Sequence, residues 1–306
     1  MHKLTKQLAL LGFFSFFPFF SYAHTIKTVV SFSILADIVG NIGGNHISVT
    51  TLVGPNANIH TYEPTPSDAQ IIKQADIIFI NGLHLENFID RLIKASGTKA
   101  PLIEASTSII PLKAKNHTHN AHHHSESSLD PHAWQSITNV KTYVKNIATA
   151  LCKIDQKSCK NYNKNADDYI QKLDTKQKAI MAQIATIPEK KRTIITSHDS
   201  FNYFAHEYDF TVLSPESVST EIEATAADVA KLIRQIKDKN VSAVFVENIS
   251  NPRLIKQISR ETGLTIGGIL YSDALSEKNG PAATYIDMIQ HNIDTIINSI
   301  TKNQST

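Results

Sequence analysis

Short apolar runs rich in β-branched residues recur along the chain, at Lys27–Ser31, His46–Val53, Asp76–Ile80, Thr193–Ser197, Ala243–Glu247 and Thr265–Leu270. Each has the length of a strand, and segments of helical periodicity follow many of them. Repeated strand–helix alternation predicts an α/β fold with mainly parallel sheets. Thr65-Pro66-Ser67-Asp68 reads as a helix start, with Thr65 as N-cap, Pro66 as first helical residue and Asp68 as third. Two segments break the alternation. Lys113–Ser128 is polar, rich in histidine and without apolar periodicity, which predicts a flexible loop. In Asn161–Ile187, by contrast, Ala166, Tyr169, Ile170, Leu173, Ile180, Ile184 and Ile187 recur at helical spacing until Pro188 stops the pattern. One helix of that length spans roughly 40 Å. The predicted architecture is therefore two α/β lobes, each with a mainly parallel sheet flanked by helices, at residues 24–160 and 189–306, joined by one long helix over 161–188. No internal repeat in the sequence is strong enough to use.

The first residues change the picture of what the mature protein is. Met1–Lys6 carries two lysines and no acid, Leu8–Phe20 is almost wholly apolar, and Ser21-Tyr22-Ala23 puts small residues where a signal peptidase reads them. The apolar run is about 13 residues, against the roughly 20 that a spanning helix needs. Residues 1–23 are thus expected to be a cleaved export signal, and the absence of a cysteine near the cut predicts a periplasmic protein without a lipid anchor. Of 30 basic and 28 acidic residues, two lysines leave with the signal, so the mature chain is formally neutral. That balance gives no electrostatic case for nucleic acid or an anionic membrane surface. At 42% hydrophobic and 19% charged, the chain can bury a core.

Histidine is the unusual component, with 14 copies, five of them at His117, His119, His122, His123 and His124. In open α/β sheets, ligands bind beyond the carboxyl ends of strands, and that rule selects among the rest. His60 follows the strand ending at Val53, His198 the one ending at Ser197, and Asp273 the one ending at Leu270. His132 stands in Asp130-Pro131-His132-Ala133-Trp134, just before a helix that begins near Ser136. Two of the four come from each half, so a cleft between lobes could gather three imidazoles and a carboxylate, a set suited to Zn²⁺. His46, His84, His206 and His291 lie in or beside predicted elements, where packing is the default role. Cys152 and Cys159 are seven apart and admit either a short disulfide across a helix–helix turn or two free thiols. A metal role for them has no CxxC or nearby histidine behind it.

Enzyme signatures fail. His206-Glu207-Tyr208-Asp209-Phe210 starts like the zinc-protease HExxH helix but ends in Phe210, and in His117-Thr118-His119-Asn120-Ala121-His122 the alanine stands where metallo-β-lactamases carry Asp. Ser197-His198-Asp199 is consecutive, whereas a catalytic triad is assembled from distant positions. No P-loop or dinucleotide fingerprint is present. A non-enzymatic role is expected.

At this point the residues show a likeness. Asn58-Ile59-His60-Thr61-Tyr62-Glu63-Pro64-Thr65-Pro66-Ser67-Asp68, Asp130-Pro131-His132-Ala133-Trp134, Thr196-Ser197-His198-Asp199-Ser200-Phe201-Asn202-Tyr203-Phe204 and Leu270-Tyr271-Ser272-Asp273-Ala274-Leu275 stand in an order and spacing that resembles the metal-specific solute-binding proteins of ABC importers. The likeness covers essentially the whole mature chain. It implies His60, His132, His198 and Asp273 as metal ligands, a rigid linker helix with little hinge motion, and an ABC permease in the inner membrane as partner, the binding protein acting as a monomer. Manganese-binding members often carry Glu where this chain has His198, and zinc members often carry a His-rich loop between the first two ligands, where His117–His124 lies. Both features point to Zn²⁺, with Mn²⁺, alone or alongside zinc, as the alternative; imidazole suits zinc, and oxygen donors suit manganese. The five-histidine loop is expected to capture zinc weakly and pass it on. A surface adhesin, a role proposed for some relatives, and a zinc hydrolase are the competing classes.

Overall fold

The computed structural model describes residues 25–114, 129–221 and 224–302. The expected signal segment, residues 1–23, and the five loop histidines lie outside the described residues. So does His24.

The first half builds a sheet from β1 (Ile26–Phe32), β2 (Ile47–Val53), β3 (Ile77–Ile80) and β4 (Leu102–Glu104) in the order β2-β1-β3-β4, every pair parallel. Helices α1 (Ser33–Gly43), α2 (Pro66–Lys73), α3 (Ile89–Ser96) and α4 (Ile137–Ile154) belong to the same half. All four residues of β3 are buried, the pattern of a strand covered on both faces. The second half repeats the plan with β5 (Thr193–Ile195), β6 (Thr211–Leu213), β7 (Ala243–Glu247) and β8 (Ile266–Leu270), ordered β6-β5-β7-β8 and again parallel. Its helices are α6 (Asn202–Tyr208), α7 (Ala226–Asp238), α8 (Arg253–Thr262) and α9 (Tyr285–Lys302). The two sheets thus share one strand order, a repeat of topology that the sequence itself does not display.

Between the halves runs α5, Cys159–Ile184, 26 residues or about 39 Å long. It is shorter at its end than the periodicity predicts and begins two residues earlier. Thr186 and Ile187 bond back three residues to Gln183 and Ile184, tightening the last turn ahead of Pro188, which disfavours α geometry in the residue before it. The disulfide Cys152–Cys159 ties the last turn of α4 to the first residue of α5. Strands β4 and β6 were not foreseen; each is three residues long and sits at a sheet edge. The α2 start is built as the sequence implies: Asp68 Oδ2 accepts from Thr65 N at 2.6 Å and Thr65 Oγ1 at 2.8 Å, completing a capping box.

One apolar core runs from the first sheet through α1, α4 and α5 into Phe201, Phe204, Tyr285, Met288 and Ile293 of the second half. A smaller cluster, Ile195, Val229, Leu232, Ile236, Val244, Ile255 and Ile258, lies between the second sheet and α7 and α8. In each sheet the first strand sits between the two that follow it, so the chain leaves it to either side. Open α/β sheets place ligands at such a switch point, beyond the strand ends. His60, His198 and Asp273 lie beyond the carboxyl ends of β2, β5 and β8.

Candidate metal centre

The loop after β2 carries His60, whose backbone N–H donates to Asn58 Oδ1 at 2.9 Å. His132 precedes a short 3₁₀ turn, Ala133–Gln135, and α4, whose N-cap Ser136 accepts from Asn139 N. His198 follows β5, with its N–H donating to Glu247 Oε1 at 3.0 Å. Asp273 follows β8 on a segment anchored from both sides. Trp134 Nε1 and Gln135 Nε2 each donate to Ser272 O at 2.8 Å, Leu275 N donates to Ser33 Oγ at 3.0 Å, and Tyr271 exchanges two bonds with the Asn292 side chain. Trp134, wholly buried against Phe32 and the His132 ring, fills the floor.

These four side chains converge. One ligand atom from each lies within 4.8 Å of every other. Asp273 Oδ2 stands 3.2 Å from His60 Nε2 and 3.1 Å from His198 Nε2, Asp273 Oδ1 stands 3.6 Å from His132 Nε2, and the His60 and His132 Nε2 atoms are 3.4 Å apart. A tetrahedral shell with bonds of about 2.0–2.1 Å has edges of about 3.3 Å, so the spacing fits a small divalent cation. All four residues are buried, and neither oxygen of Asp273 has a hydrogen-bond donor among the described residues. A buried carboxylate without a donor is costly; a bound cation would supply what is missing.

Behind two of the rings stand further carboxylates that sequence reasoning did not assign. Asp130 Oδ1 lies 2.7 Å from His132 Nδ1, and Glu247 Oε2 lies 2.6 Å from His198 Nδ1. Asp130 holds the proton on His132 Nδ1 and turns its Nε2 lone pair to the centre, the usual device behind a metal-binding imidazole, and Glu247 forms a close ion pair with His198 Nδ1 in the corresponding place. Asp130 is itself fixed by Asn202 Nδ2 at 2.9 Å, and Glu247 by Ser197 N at 2.7 Å. The signal for Glu247 was present: it is an acid at the carboxyl end of a strand, the same place that selected His198 and Asp273.

Burial drives the His60 imidazole below its ordinary pKa, although Asp273 pulls the other way. At His198 burial acts downward as well, but the charges of Glu247 and Asp273 overcome it and raise the imidazole well above its usual value. Burial would raise Asp273, yet His198 and His132 hold it well below the carboxylate range. Glu247 and Asp273 thus favour a positive charge at His198, while burial disfavours one at His60. The other histidines are elsewhere: His46 bonds with Ser158 and Asn161, His206 lies on α6, and His291 on α9 approaches Ile269 O. The ends of the His-rich segment are paired at its root, where Lys113 bridges Leu129 and Asp130 N donates to Leu112 O.

Two parallel-sheet lobes with three imidazoles and one carboxylate gathered between them have the donor set a cation-binding protein would need. Residues 28–299 match the family ZnuA, zinc-uptake complex component A periplasmic, and the chain belongs to that family. It is similar to the manganese-binding lipoprotein MntA of Halalkalibacterium halodurans, 34% identical over 279 residues that cover 90% of this chain and 89% of the relative. Among solved structures it resembles a manganese-bound variant of the periplasmic metal binding protein of Candidatus Liberibacter asiaticus, with a TM-score of 0.81, 31% identity, and coverage of 90% of this chain and 99% of that one. The periplasmic zinc binding protein TroA of Treponema pallidum superposes with a TM-score of 0.82 at 27% identity over 90% of this chain and 99% of that one.

Proposed function

We propose that this chain is the exported zinc-binding component of a metal ABC importer, holding Zn²⁺ at His60, His132, His198 and Asp273 and delivering it to an inner-membrane permease. The observation that carries the reading is the buried convergence of three Nε2 atoms on a carboxylate without hydrogen-bond donors. Zinc is favoured over manganese by the donor set. Three imidazoles with one carboxylate suit Zn²⁺, whereas Mn²⁺ prefers more oxygen. The names of the relatives include both metals, which keeps manganese as the second reading. Adhesion draws no support from the site.

Native metal analysis of protein purified without chelator or added metal, followed by competition titration, decides between the two. Zinc as the resident ion, bound at least a hundredfold tighter than manganese, is expected; the reverse order overturns the choice of metal. His60→Ala is expected to abolish tight binding of either ion with the fold intact, and wild-type affinity in that variant refutes the site.

Export through residues 1–23 belongs to the same proposal. Its support is the basic start, apolar run and small residues at Ser21 and Ala23 of that segment. N-terminal sequencing of the mature protein should begin at His24. The five histidines at His117, His119, His122, His123 and His124 are proposed to collect zinc weakly for the central site. Deleting residues 115–128 should lower the number of zinc ions bound while sparing the tight one, and unchanged stoichiometry would sink that role.

A further inference from the structure

The Asn58 carboxamide faces two ways. Its Oδ1 accepts the His60 backbone N–H at 2.9 Å, and its Nδ2 donates to Thr220 Oγ1 at 2.8 Å. His60 belongs to the first lobe. Thr220 belongs to the second, in the segment between β6 and α7. That same segment reaches the other side of the cleft, because Ser217 O accepts from Asp199 N, next to His198, at 3.1 Å. One residue further on, Glu221 Oε1 accepts from Asn87 Nδ2 of the first lobe at 3.2 Å. Residues 217–221 therefore bridge the neighbours of a ligand on one lobe and a ligand on the other.

We infer that Asn58 is a positioning residue for metal retention: its amide latches the His60 loop to the Thr220 segment, and the latch must open before the ion can leave. The inference rests on the four-ligand site proposed above. Geometry explains why the effect falls on release. Asn58 touches none of the four ligand side chains' donor atoms, so the coordination bonds are the same with the latch open or closed. What changes is whether His60 can swing away from Asp273 independently of the second lobe. Asn56 adds to the same seam without touching His60: its N–H donates to Leu275 O at 2.9 Å, and its Oδ1 accepts from Asn248 Nδ2 at 3.2 Å.

The test is stopped-flow release of Zn²⁺ into excess chelator, with Co²⁺ absorption reporting the ligand shell. Thr220→Val keeps the side-chain volume and deletes the acceptor. It is expected to speed release by roughly three- to tenfold, the scale of one part-buried hydrogen bond, with an unchanged Co²⁺ spectrum. Thr220→Ser should restore the slow release. In an Asn58→Ala background, Thr220→Val should add little, since the bond is already gone. Wild-type release from Thr220→Val, or full additivity in the double variant, overturns the latch. A His60→Ala protein that still binds zinc tightly would instead overturn the site on which the latch rests, so the two failures are separable.

Discussion

An imidazole offers a cation one lone pair, and the group bonded to its other nitrogen decides which. His198 has Glu247 at Nδ1, and Glu247 spends its second oxygen on the amides of Ser197 and His198. Glu247→Gln therefore does more than remove a charge. If the amide oxygen keeps the two backbone donors, its NH₂ faces His198 Nδ1, which must then give up its proton to Nε2 and turn the lone pair away from the site. Zinc affinity is expected to fall about 10- to 100-fold with an unchanged circular dichroism spectrum, measured by competition with a chelator of known affinity; a loss under threefold would show that Glu247 does not set the tautomer. The sequence exposed His60, His132, His198 and Asp273 because turn residues and strand ends advertise a ligand. It left Asp130 and Glu247 unassigned for different reasons: Asp130 stands two residues before His132 and reads only as part of the same motif, whereas Glu247 marks a strand end but meets His198 across 49 residues. Asn58 was visible in the motif, but its hydrogen bond crosses 162 residues to Thr220.

Among the elements, the long helix was legible because its apolar positions repeat over many turns, from Tyr162 through Leu173 to Ile184. Leu102–Glu104 and Thr211–Leu213 were not, since three residues carry no periodicity and their assignment as strands comes from the neighbour they pair with. The α4–α5 junction is where local sequence and element packing meet. Asp155 Oδ1 accepts from Ser158 N, Asp155 Oδ2 accepts from Tyr162 OH, and the disulfide closes the turn between. A cross-link over so short a loop removes about 2.5 kcal/mol of chain entropy from the unfolded state. Cys152→Ser with Cys159→Ser should lower stability by about that amount in denaturant titration, while zinc affinity stays within twofold, because neither cysteine approaches the cleft. A large change in affinity would mean that the linker helix transmits strain to the site.

The scale of the whole molecule is set by how firmly the lobes are joined. The apolar core passes between them, and polar bonds cross the same seam. Asp37 shows the physical cost of one such bond. It sits on α1 in the first lobe and accepts the Tyr285 N–H at the start of α9 through Oδ2 at 2.9 Å. A negative charge there complements the helix N-terminus, but burial outweighs that and, with a smaller push from Asp287, raises Asp37 to about 6 from 3.8. The folded protein therefore keeps a proton that the unfolded chain releases above about pH 3.8. The contribution of this group is fully present below that pH and is lost as pH rises through about 6. Asp37→Asn cannot ionise and should not show the loss. Its stability relative to wild type, from urea unfolding of the metal-free proteins, should rise by about 2 kcal/mol between pH 4.5 and 7. Comparing the two proteins cancels every other titrating group, the metal site included. A difference that is flat or falls with pH would mean that Asp37 stays ionised in the fold, and that the lobes are joined there by a charge at a helix end and not by a buried neutral acid.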